Sequence, residues 1–275
     1  MQSFPVAGKS VLVTGAARGI GAEIARRLHS EGARVSLVGL EPELLAALAD
    51  ELGERARFST ADVTDAAALE AAVRDTVEEF GGIDIVIANA GIAPPTTSVS
   101  TIAVADFERT VDVNLYGVWR TVKFALPHVI ESRGHIVLVS SIYSFFNGAL
   151  NASYAVSKAG VEQLGRAMRV ELAQHGVTVG VAYFGFIGTD MVETAFARPS
   201  AALLRKAFPA FLTRPAPLGT ATAALLRGIE HRSPRIITPG WVRLALVLRG
   251  PLGGLDRILA ADRRVRAAVE VAESA

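Results

Sequence analysis

The sequence predicts an α/β fold in which helices cover both faces of a parallel β-sheet. Its β-branched runs are short and nearly continuous in apolar residues, which is typical of strands buried on both faces. Helical segments separate these runs, and this alternation indicates a parallel sheet with ligand sites at the carboxyl ends of its strands. The predicted strands are residues 10–14, 35–39, 84–88, 135–140, 177–183 and 235–238, with a weaker one at 57–61, and the predicted helices are residues 19–31, 41–53, 65–80, 103–130, 153–175 and 217–231.

The chain of 275 residues shows neither a linker nor an internal repeat, so we expect one domain over residues 1–275. Two segments depart from the regular alternation. Residues 190–217 mix prolines with apolar and basic residues, and we interpret them as an inserted helical flap. Residues 241–275 form a partly apolar, partly charged C-terminal extension that either docks over a cleft of its own protein or lies on a membrane surface, and docking is the more common arrangement for such tails.

The composition excludes several classes of protein. The formal net charge is +1, whereas nucleic-acid-binding proteins usually carry a strong basic patch. The absence of cysteine excludes disulfides and thiolate metal sites, and the five histidines lack the spacings of metal ligands. The N-terminus lacks a signal-peptide pattern, and no apolar run reaches the roughly 20 residues that span a bilayer. We therefore expect a soluble, cytoplasmic protein without a metal, a transmembrane segment or a nucleic-acid partner.

A glycine-rich loop, "TGAARGIG" at residues 14–21, joins the first strand to the first helix. Glycine there lets a phosphate approach the backbone, and the helix N-terminus offers free N–H groups and a positive dipole end. The spacing differs from the common G-x-G-x-x-G pattern. A tight strand–helix turn without a ligand is the alternative interpretation.

Four motifs together resemble the short-chain dehydrogenase/reductase family. They are "TGAARGIG", "NAG" at 89–91, "VSS" at 139–141 and "YAVSK" at 154–158, and the resemblance extends over about residues 6–240. It implies a Rossmann-like, doubly wound parallel sheet of about seven strands and an NAD or NADP cofactor. It also implies a homodimer or homotetramer formed through the long helices.

The resemblance further implies a set of cofactor-binding residues. Asp62 is expected beside the adenine and Asn89 beside the cofactor backbone, although each also suits a simple turn. Thr189 is expected at the cofactor's carboxamide. The full set is Gly15, Ala17, Arg18, Gly19 and Ile20 in the loop, Gly39, Leu40 and Glu41 after the second strand, Asp62, Val63, Asn89, Ala90, Gly91, Tyr154, Lys158, Gly185, Ile187 and Thr189.

The choice between NAD and NADP depends on charges near the adenosine ribose. An acidic residue commonly follows the second strand and binds the ribose hydroxyls of NAD. Here Gly39 and Leu40 precede Glu41, which would repel a 2′-phosphate if it points inward. Arg18 would attract that phosphate. These features conflict, and the balance favours NAD.

Tyr154 and Lys158 are four positions apart on a predicted helix and therefore share one face. An ammonium ~4 Å from a phenol, at an effective dielectric constant of ~20, favours the phenolate by about 4 kcal/mol. That energy corresponds to a lowering of the phenol pKa by roughly three units. The pair thus predicts that Tyr154 acts as a general acid–base catalyst near neutral pH.

The resemblance assigns roles to the companions of this tyrosine. Ser141 matches the serine that holds the substrate oxygen, and Lys158 also binds the nicotinamide ribose. Ser140 is the adjacent alternative, but successive strand side chains point in opposite directions, so only one of the two serves. Asn114 matches an asparagine that supports a water chain to the lysine. The catalytic set is therefore Asn114, Ser141, Tyr154 and Lys158.

Aromatic residues surround the expected nicotinamide position. Phe184 stands where the family usually has proline, and further apolar residues lie in the segment after Ser141 and in the flap. They predict a bulky apolar alcohol or carbonyl substrate, such as a steroid, terpenoid, retinoid-like or long-chain compound. Packing in the core or at a subunit interface is the alternative for several of them. The predicted substrate-binding residues are Ser141, Tyr143, Phe146, Phe184, Phe186 and Met191, with Phe145, Leu150, Phe196, Phe208, Phe211 and Leu212 as further candidates.

Two other functions compete with an oxidoreductase. A non-catalytic dinucleotide-binding redox sensor would have lost the catalytic residues, yet all four are present. A methyltransferase of similar fold needs neither the tyrosine–lysine pair nor the upstream serine. The sequence therefore favours an NAD(P)-dependent enzyme that interconverts an alcohol and its carbonyl compound.

Overall fold

A seven-stranded parallel sheet forms the centre of the chain, of which the computed structural model describes residues 4–274. The strand order is β3-β2-β1-β4-β5-β6-β7, which confirms the doubly wound arrangement. The predicted strands are confirmed, with ends that shift by a residue or so. The strands are β1 (Ser10–Thr14), β2 (Arg34–Gly39), β3 (Ala56–Thr60), β4 (Ile85–Ala88), β5 (His135–Val139), β6 (Thr178–Phe184) and β7 (Arg235–Thr238).

Helices connect the strands and also make up the flap and the C-terminal extension. The predicted helix at 153–175 ends earlier than expected and is followed by a short 3₁₀ turn, Ala173–His175. The helices are α1 (Gly19–Ser30), α2 (Pro42–Leu52), α3 (Ala66–Phe80), α4 (Val104–Val111), α5 (Gly117–Glu131), α6 (Ala152–Glu171), α7 (Asp190–Phe196), α8 (Pro199–Arg205), α9 (Ala210–Thr213), α10 (Leu218–Glu230), α11 (Trp241–Val247), α12 (Arg249–Leu252), α13 (Asp256–Ala261) and α14 (Arg263–Glu273).

Two hydrophobic cores lie on opposite faces of the sheet. Helices α1, α2 and α10 cover one face, and α3, α5 and α6 cover the other. Strand β1 serves both cores, because Val11 and Val13 point to the first and Leu12 to the second. All five residues of β1 are buried, as its continuous apolar run predicts.

The sheet reverses its winding between β1 and β4, which are neighbours in space but not in sequence. In folds of this kind a crevice opens at the carboxyl ends of the two strands at the reversal. Gly15 and Asn89 follow these two strands directly. The fold therefore brings the glycine loop and the "NAG" segment to the same edge of the sheet.

The helical segment predicted at 103–130 is confirmed over residues 104–131, but it contains a π-turn that was not predicted. The chain forms α4, then a π-helical turn at Asp112–Tyr116, then α5. Asn114 lies in this turn and exchanges hydrogen bonds with the backbone of Ile92, accepting from its N–H at 2.8 Å and donating to its carbonyl at 2.9 Å. The extra residue of a π-turn re-aims a side chain, and such turns are frequent at functional sites.

The C-terminal extension docks on the flap. Val265, Ala268 and Ala272 on one side of α14 are buried, with Leu203 and Leu204 of α8 packed against them. Among the described residues, no helix combines the length and the apolar character needed to cross a membrane. The tail thus packs on its own protein, which is the arrangement that its composition favoured.

His135 in β5 makes stability depend on pH. Its imidazole is fully buried, and Nδ1 shares a hydrogen bond of 2.7 Å with the Thr178 hydroxyl. Burial, assisted by the charge of Arg232, lowers the pKa of His135 to about 3. The unfolded chain takes up this proton near pH 6.5, so the free energy of unfolding falls by about 1.4 kcal/mol per pH unit below that point.

We expect His135→Gln to remove this dependence, because the variant has no imidazole to protonate. Urea unfolding at pH 6.5 and pH 5 should show wild type losing about 2 kcal/mol more than the variant between the two conditions. His231→Gln, at an exposed histidine, is the matched control and should behave as wild type. An equal loss in wild type and His135→Gln would contradict the assignment.

Candidate cofactor and active site

The glycine loop needs its glycines for its own backbone. Gly15 and Gly19 have φ values of 64° and 56°, a region that favours glycine. A Cβ on Gly21 would lie 2.0 Å from the Gly15 carbonyl oxygen, and one on Gly15 would lie 2.8 Å from Cα of Ala90. The tight turn alone is enough to explain these glycines. Evidence for a bound ligand therefore has to come from other features.

The first turn of α1 provides such a feature. Arg18 occupies the N-cap position in an extended conformation, and its side chain makes no capping hydrogen bond. N–H groups of a first helical turn have no partner within the helix, so they are available to a phosphate. Thr189 lies close to the loop, since its methyl group would be 3.5 Å from a Cβ on Gly19. The side of the loop next to Thr189, which we call the groove, is where these N–H groups could hold a phosphate of the dinucleotide.

Arg18 and Glu41 form an ion pair at the outer end of this groove. The hydrogen bond from Arg18 to Glu41 raises the pKa of the guanidinium. Both side chains keep contact with solvent, at 60% and 34% exposure. Gly39 is buried against Ala17, while Leu40 is exposed. The two residues with opposite cofactor preferences are therefore bound to each other.

Asn89 fastens the glycine loop to the end of β4. Its Nδ2 donates to the carbonyls of Thr14 at 3.0 Å and Gly15 at 3.2 Å. Its backbone N–H donates to the Thr14 hydroxyl at 3.2 Å. The side chain is thus occupied in holding two loops together, which fits the turn interpretation. The adjoining Gly91 leads on toward the buried lysine, since a Cβ there would lie 3.5 Å from Nζ of Lys158.

The other predicted cofactor residues divide into two groups. Asp62 accepts a hydrogen bond of 2.9 Å from the Thr64 N–H, so one of its oxygens turns the chain, and Val63 is buried against Gly117. The remaining side chains belong to the walls of the groove or to the core behind it. Ala17 and Ile20 pack on the core, Ile187 is buried in it, and Gly185 lies against Pro239 at the edge of a cavity.

Tyr154 and Lys158 occupy successive turns of α6 and face the end of β5. The lysine Nζ lies 5.6 Å from the centre of the Tyr154 ring and donates a hydrogen bond of 2.9 Å to the Val139 carbonyl. Ser141 follows β5 and lines the cavity beside Tyr154. Ser140 instead donates to the backbone carbonyl of Lys158 at 2.9 Å. The two serines therefore have separate tasks, and Ser141 is the one that faces the cavity.

The pKa of Tyr154 differs from the prediction. Burial raises the pKa of the phenol, and a hydrogen bond with Ser141 offsets part of that rise. Burial also lowers the pKa of Lys158 to about 8. Lys158 does not lower the phenol pKa as expected, because its ammonium is directed to the Val139 carbonyl and lies beside the ring. The lysine nevertheless stays mainly protonated at neutral pH.

Asn114 is completely buried and supports this pair from behind. Besides its two bonds to Ile92, its Nδ2 lies 3.3 Å from the Ser157 hydroxyl. That hydroxyl in turn donates to the Tyr154 carbonyl at 2.7 Å. Asn114 therefore links the segment after β4 to α6, which is a positioning role in this structure.

A cavity of about 150 Å³ opens beside Ser141 and Tyr154. Of the predicted substrate residues, Tyr143, Phe146, Phe186 and Met191 line it. Several lining residues could not be predicted from the sequence, because they carry no motif and come from distant segments. They are Ala93 and Thr96 after β4, Val192, Ala195, Ala201, Leu204, Arg205 and Thr213 in the flap, and Trp241, Leu259 and Val265 in the tail.

Phe184 is not among the lining residues, so its predicted role in substrate binding is wrong. It is the last residue of β6 and is 4% exposed, packed in the core that α1 and α10 cover. The alternation of β6 turns its ring away from the cavity, while Phe186 in the following loop points into it. Phe211 is exposed, and Phe145 contacts Tyr183 outside the cavity.

Comparison with known proteins identifies the family. The model of the short chain dehydrogenase family matches residues 9–200. An L-fucose dehydrogenase from Oryctolagus cuniculus is 36% identical over 225 residues, covering 80% of this chain and 79% of that protein. The oxidoreductase UcpA from Escherichia coli K12 is 37% identical over 194 residues, covering 68% of this chain and 72% of that protein.

Solved structures agree with this result. The crystal structure of a levodione reductase superposes with a TM-score of 0.78 at 29% identity, covering 85% of this chain and 97% of the other. The glycine loop, Tyr154, the buried Lys158 and Ser141 lie at the same edge of the sheet. The chain therefore belongs to the short-chain dehydrogenase family and is an NAD(P)-dependent dehydrogenase that acts on an alcohol group.

Proposed function

We propose that this enzyme interconverts an alcohol and a carbonyl group on an apolar substrate, with Ser141, Tyr154 and Lys158 as its catalytic residues and Asn114 as their support. One observation carries the proposal: Ser141 and Tyr154 both lie at the wall of the same mainly apolar cavity. A substrate oxygen placed there can accept a hydrogen bond from each hydroxyl. A redox sensor would have no use for this arrangement.

Each residue then has a defined task. Tyr154 exchanges a proton with the substrate oxygen, and Ser141 donates a hydrogen bond to the same oxygen as charge develops on it. Lys158 joins α6 to the last residue of β5 through its hydrogen bond to the Val139 carbonyl, and this bond holds Tyr154 in position. The dinucleotide, when bound, supplies or accepts the hydride.

The Arg18–Glu41 pair supports NAD as the cofactor. Arg18 is the cation nearest the glycine loop that would attract a 2′-phosphate, and Glu41 already neutralises it. A phosphate arriving there would also meet the carboxylate itself. The hydroxyls of an unphosphorylated ribose can instead donate to Glu41, since carboxylates accept hydrogen bonds.

The cavity supports an apolar substrate of moderate size. A volume of about 150 Å³ holds a molecule about as large as benzene, so a single ring or a short chain fits as the flap stands. A steroid or retinoid-like compound would require the flap to move outward. The name of the L-fucose dehydrogenase favours a sugar, but Phe146, Phe186 and Phe208 offer a sugar no hydrogen bonds.

We expect Tyr154→Phe to lower kcat by about 100- to 10,000-fold, because the substrate oxygen loses its proton partner. Stopped-flow or steady-state rates with NADH and a panel of small aryl ketones and aldehydes would measure the loss. Tyr116→Phe, at an exposed tyrosine, is the control and should retain wild-type rates. Undiminished turnover in Tyr154→Phe would refute the assignment of Tyr154 as the proton donor.

We expect wild type to bind NADH more tightly than NADPH, and Glu41→Gln to shift the ratio of the two Kd values about 5-fold toward NADPH. The substitution removes the repelling carboxylate and frees Arg18, and for a partly exposed pair the gain is about 1 kcal/mol. Fluorescence titration with each cofactor measures both constants.

Glu51→Gln is the matched control, because it breaks the exposed ion pair with Arg26 without touching the groove. Its Kd ratio should equal that of wild type. A wild-type preference for NADPH, or an unchanged ratio in Glu41→Gln, would mean that Glu41 does not select the cofactor.

A further inference from the structure

Arg205 is an unusual member of the cavity wall. Among the lining residues in the part of the chain that the structure describes, it is the only one with a charged side chain. Its guanidinium lies over the ring of Phe196, with Cζ 3.9 Å from the ring centre. Its Nε is buried and has no hydrogen-bond partner within residues 4–274, and no ion pair forms there.

Stacking on an aromatic ring does not explain this arrangement fully. The ring of Phe196 contacts the face of the guanidinium, whereas the five N–H donors lie in its plane and point outward. A buried donor without a partner carries a substantial desolvation cost, and arginine cannot lose its charge to avoid that cost. The in-plane donors of Arg205 are therefore available to an anion inside the cavity.

The aromatic wall separates Arg205 from the reacting hydroxyls. The ring of Tyr154 contacts Tyr143 with centroids 5.8 Å apart, and Tyr143 contacts Phe186 at 6.2 Å. Phe186 contacts Phe196 at 4.9 Å, and Phe196 carries the guanidinium. A continuous row of rings thus runs from the proton donor to the cation. A molecule lying along this row has one polar end at Tyr154 and the other at Arg205.

We propose that Arg205 binds a carboxylate at the end of the substrate remote from the reacting carbon. The substrate class is then an apolar oxo acid and the corresponding hydroxy acid, an inference that rests on the proposed function and makes it more specific. A planar carboxylate matches the guanidinium fork with two parallel hydrogen bonds. A phosphate, with close to two negative charges, would leave excess charge buried against a single cation.

The position of this cation depends on the C-terminal extension. Arg205 ends α8, and the preceding Leu203 and Leu204 pack on the buried face of α14. Arg264 of α14 donates to the Lys206 carbonyl at 2.6 Å, which fixes the backbone next to Arg205. Arg205 and these tail contacts lie beyond the residues 9–200 that the family model matches. The carboxylate site is therefore a property of this chain's own flap and tail.

The test compares acids with their own methyl esters. The probes are 4-formylbenzoate with methyl 4-formylbenzoate, and a series of straight-chain ω-oxoalkanoates of increasing length with their methyl esters. Calorimetric titration of the 275-residue chain in the presence of NAD gives a Kd for each. We expect the best acid to bind about 10- to 100-fold more tightly than its ester, because only the acid pairs with Arg205.

Variants assign that preference to the guanidinium. Arg205→Met should bring the ratio of acid to ester affinity to near one, and Arg205→Lys should retain part of it. Arg198→Met removes an exposed charge at the start of the same helix and should keep the wild-type ratio. Thermal melting of each variant verifies that it is folded. Equal binding of acid and ester by wild type at every length, or a preference that persists in Arg205→Met, would overturn the proposal.

Turnover separates this inference from the proposed function. If acids bind more tightly through Arg205 but neither acids nor esters react with NADH or NADPH, the carboxylate site stands and the assigned chemistry fails. If esters and acids bind and react equally well, the chemistry stands and the carboxylate site fails.

Discussion

The buried hydrogen bond from Lys158 to the Val139 carbonyl holds the active site together. It joins α6 to the last residue of β5, and the Ser140 hydroxyl adds a second bond between the same two elements by donating to the Lys158 carbonyl. Burying the ammonium costs about 3 kcal/mol, as the lowering of its pKa to about 8 indicates. Packing of α6 on the sheet and the two hydrogen bonds offset that cost. They also hold Tyr154 of α6 beside Ser141, which follows β5.

Five of the strands could be predicted from the sequence because they lie in the middle of the sheet. Runs such as residues 135–139 are buried on both faces and contain almost no polar residue. The edge strand β3 gave a weaker signal since Arg57 and Phe58 face solvent. The π-turn around Asn114 gave no signal, because its hydrogen bonds to Ile92 join segments that only the folded chain brings together.

Only part of the candidate site could be predicted, because spacing along the chain indicates neighbours on one helix but not contacts between distant segments. Short-range spacing indicated that Tyr154 and Lys158 share a face, but it could not show that the ammonium points to Val139. The predicted sixth strand ended at residue 183, whereas β6 includes Phe184. The alternation of side chains along the strand could therefore not be applied to Phe184. The role of Arg205 could not be predicted, because it depends on the contact with Phe196 and on the position of the side chain in the cavity wall, and only the folded chain shows these.

The catalytic residues and the flap that covers the cavity are held in place by different interactions. The residues that carry out the reaction are therefore structurally separate from those that select the substrate. Ser141 and Tyr154 are fixed at the sheet edge by backbone hydrogen bonds and by the buried lysine, which leave little freedom of position. The flap is held mainly by side-chain packing, with the small residues Ala268 and Ala272 letting α14 approach α8 closely. We expect substitutions in that contact to change the cavity without disturbing the reacting groups. The selection of substrate can therefore vary with the flap and tail while the proton transfer stays with the sheet.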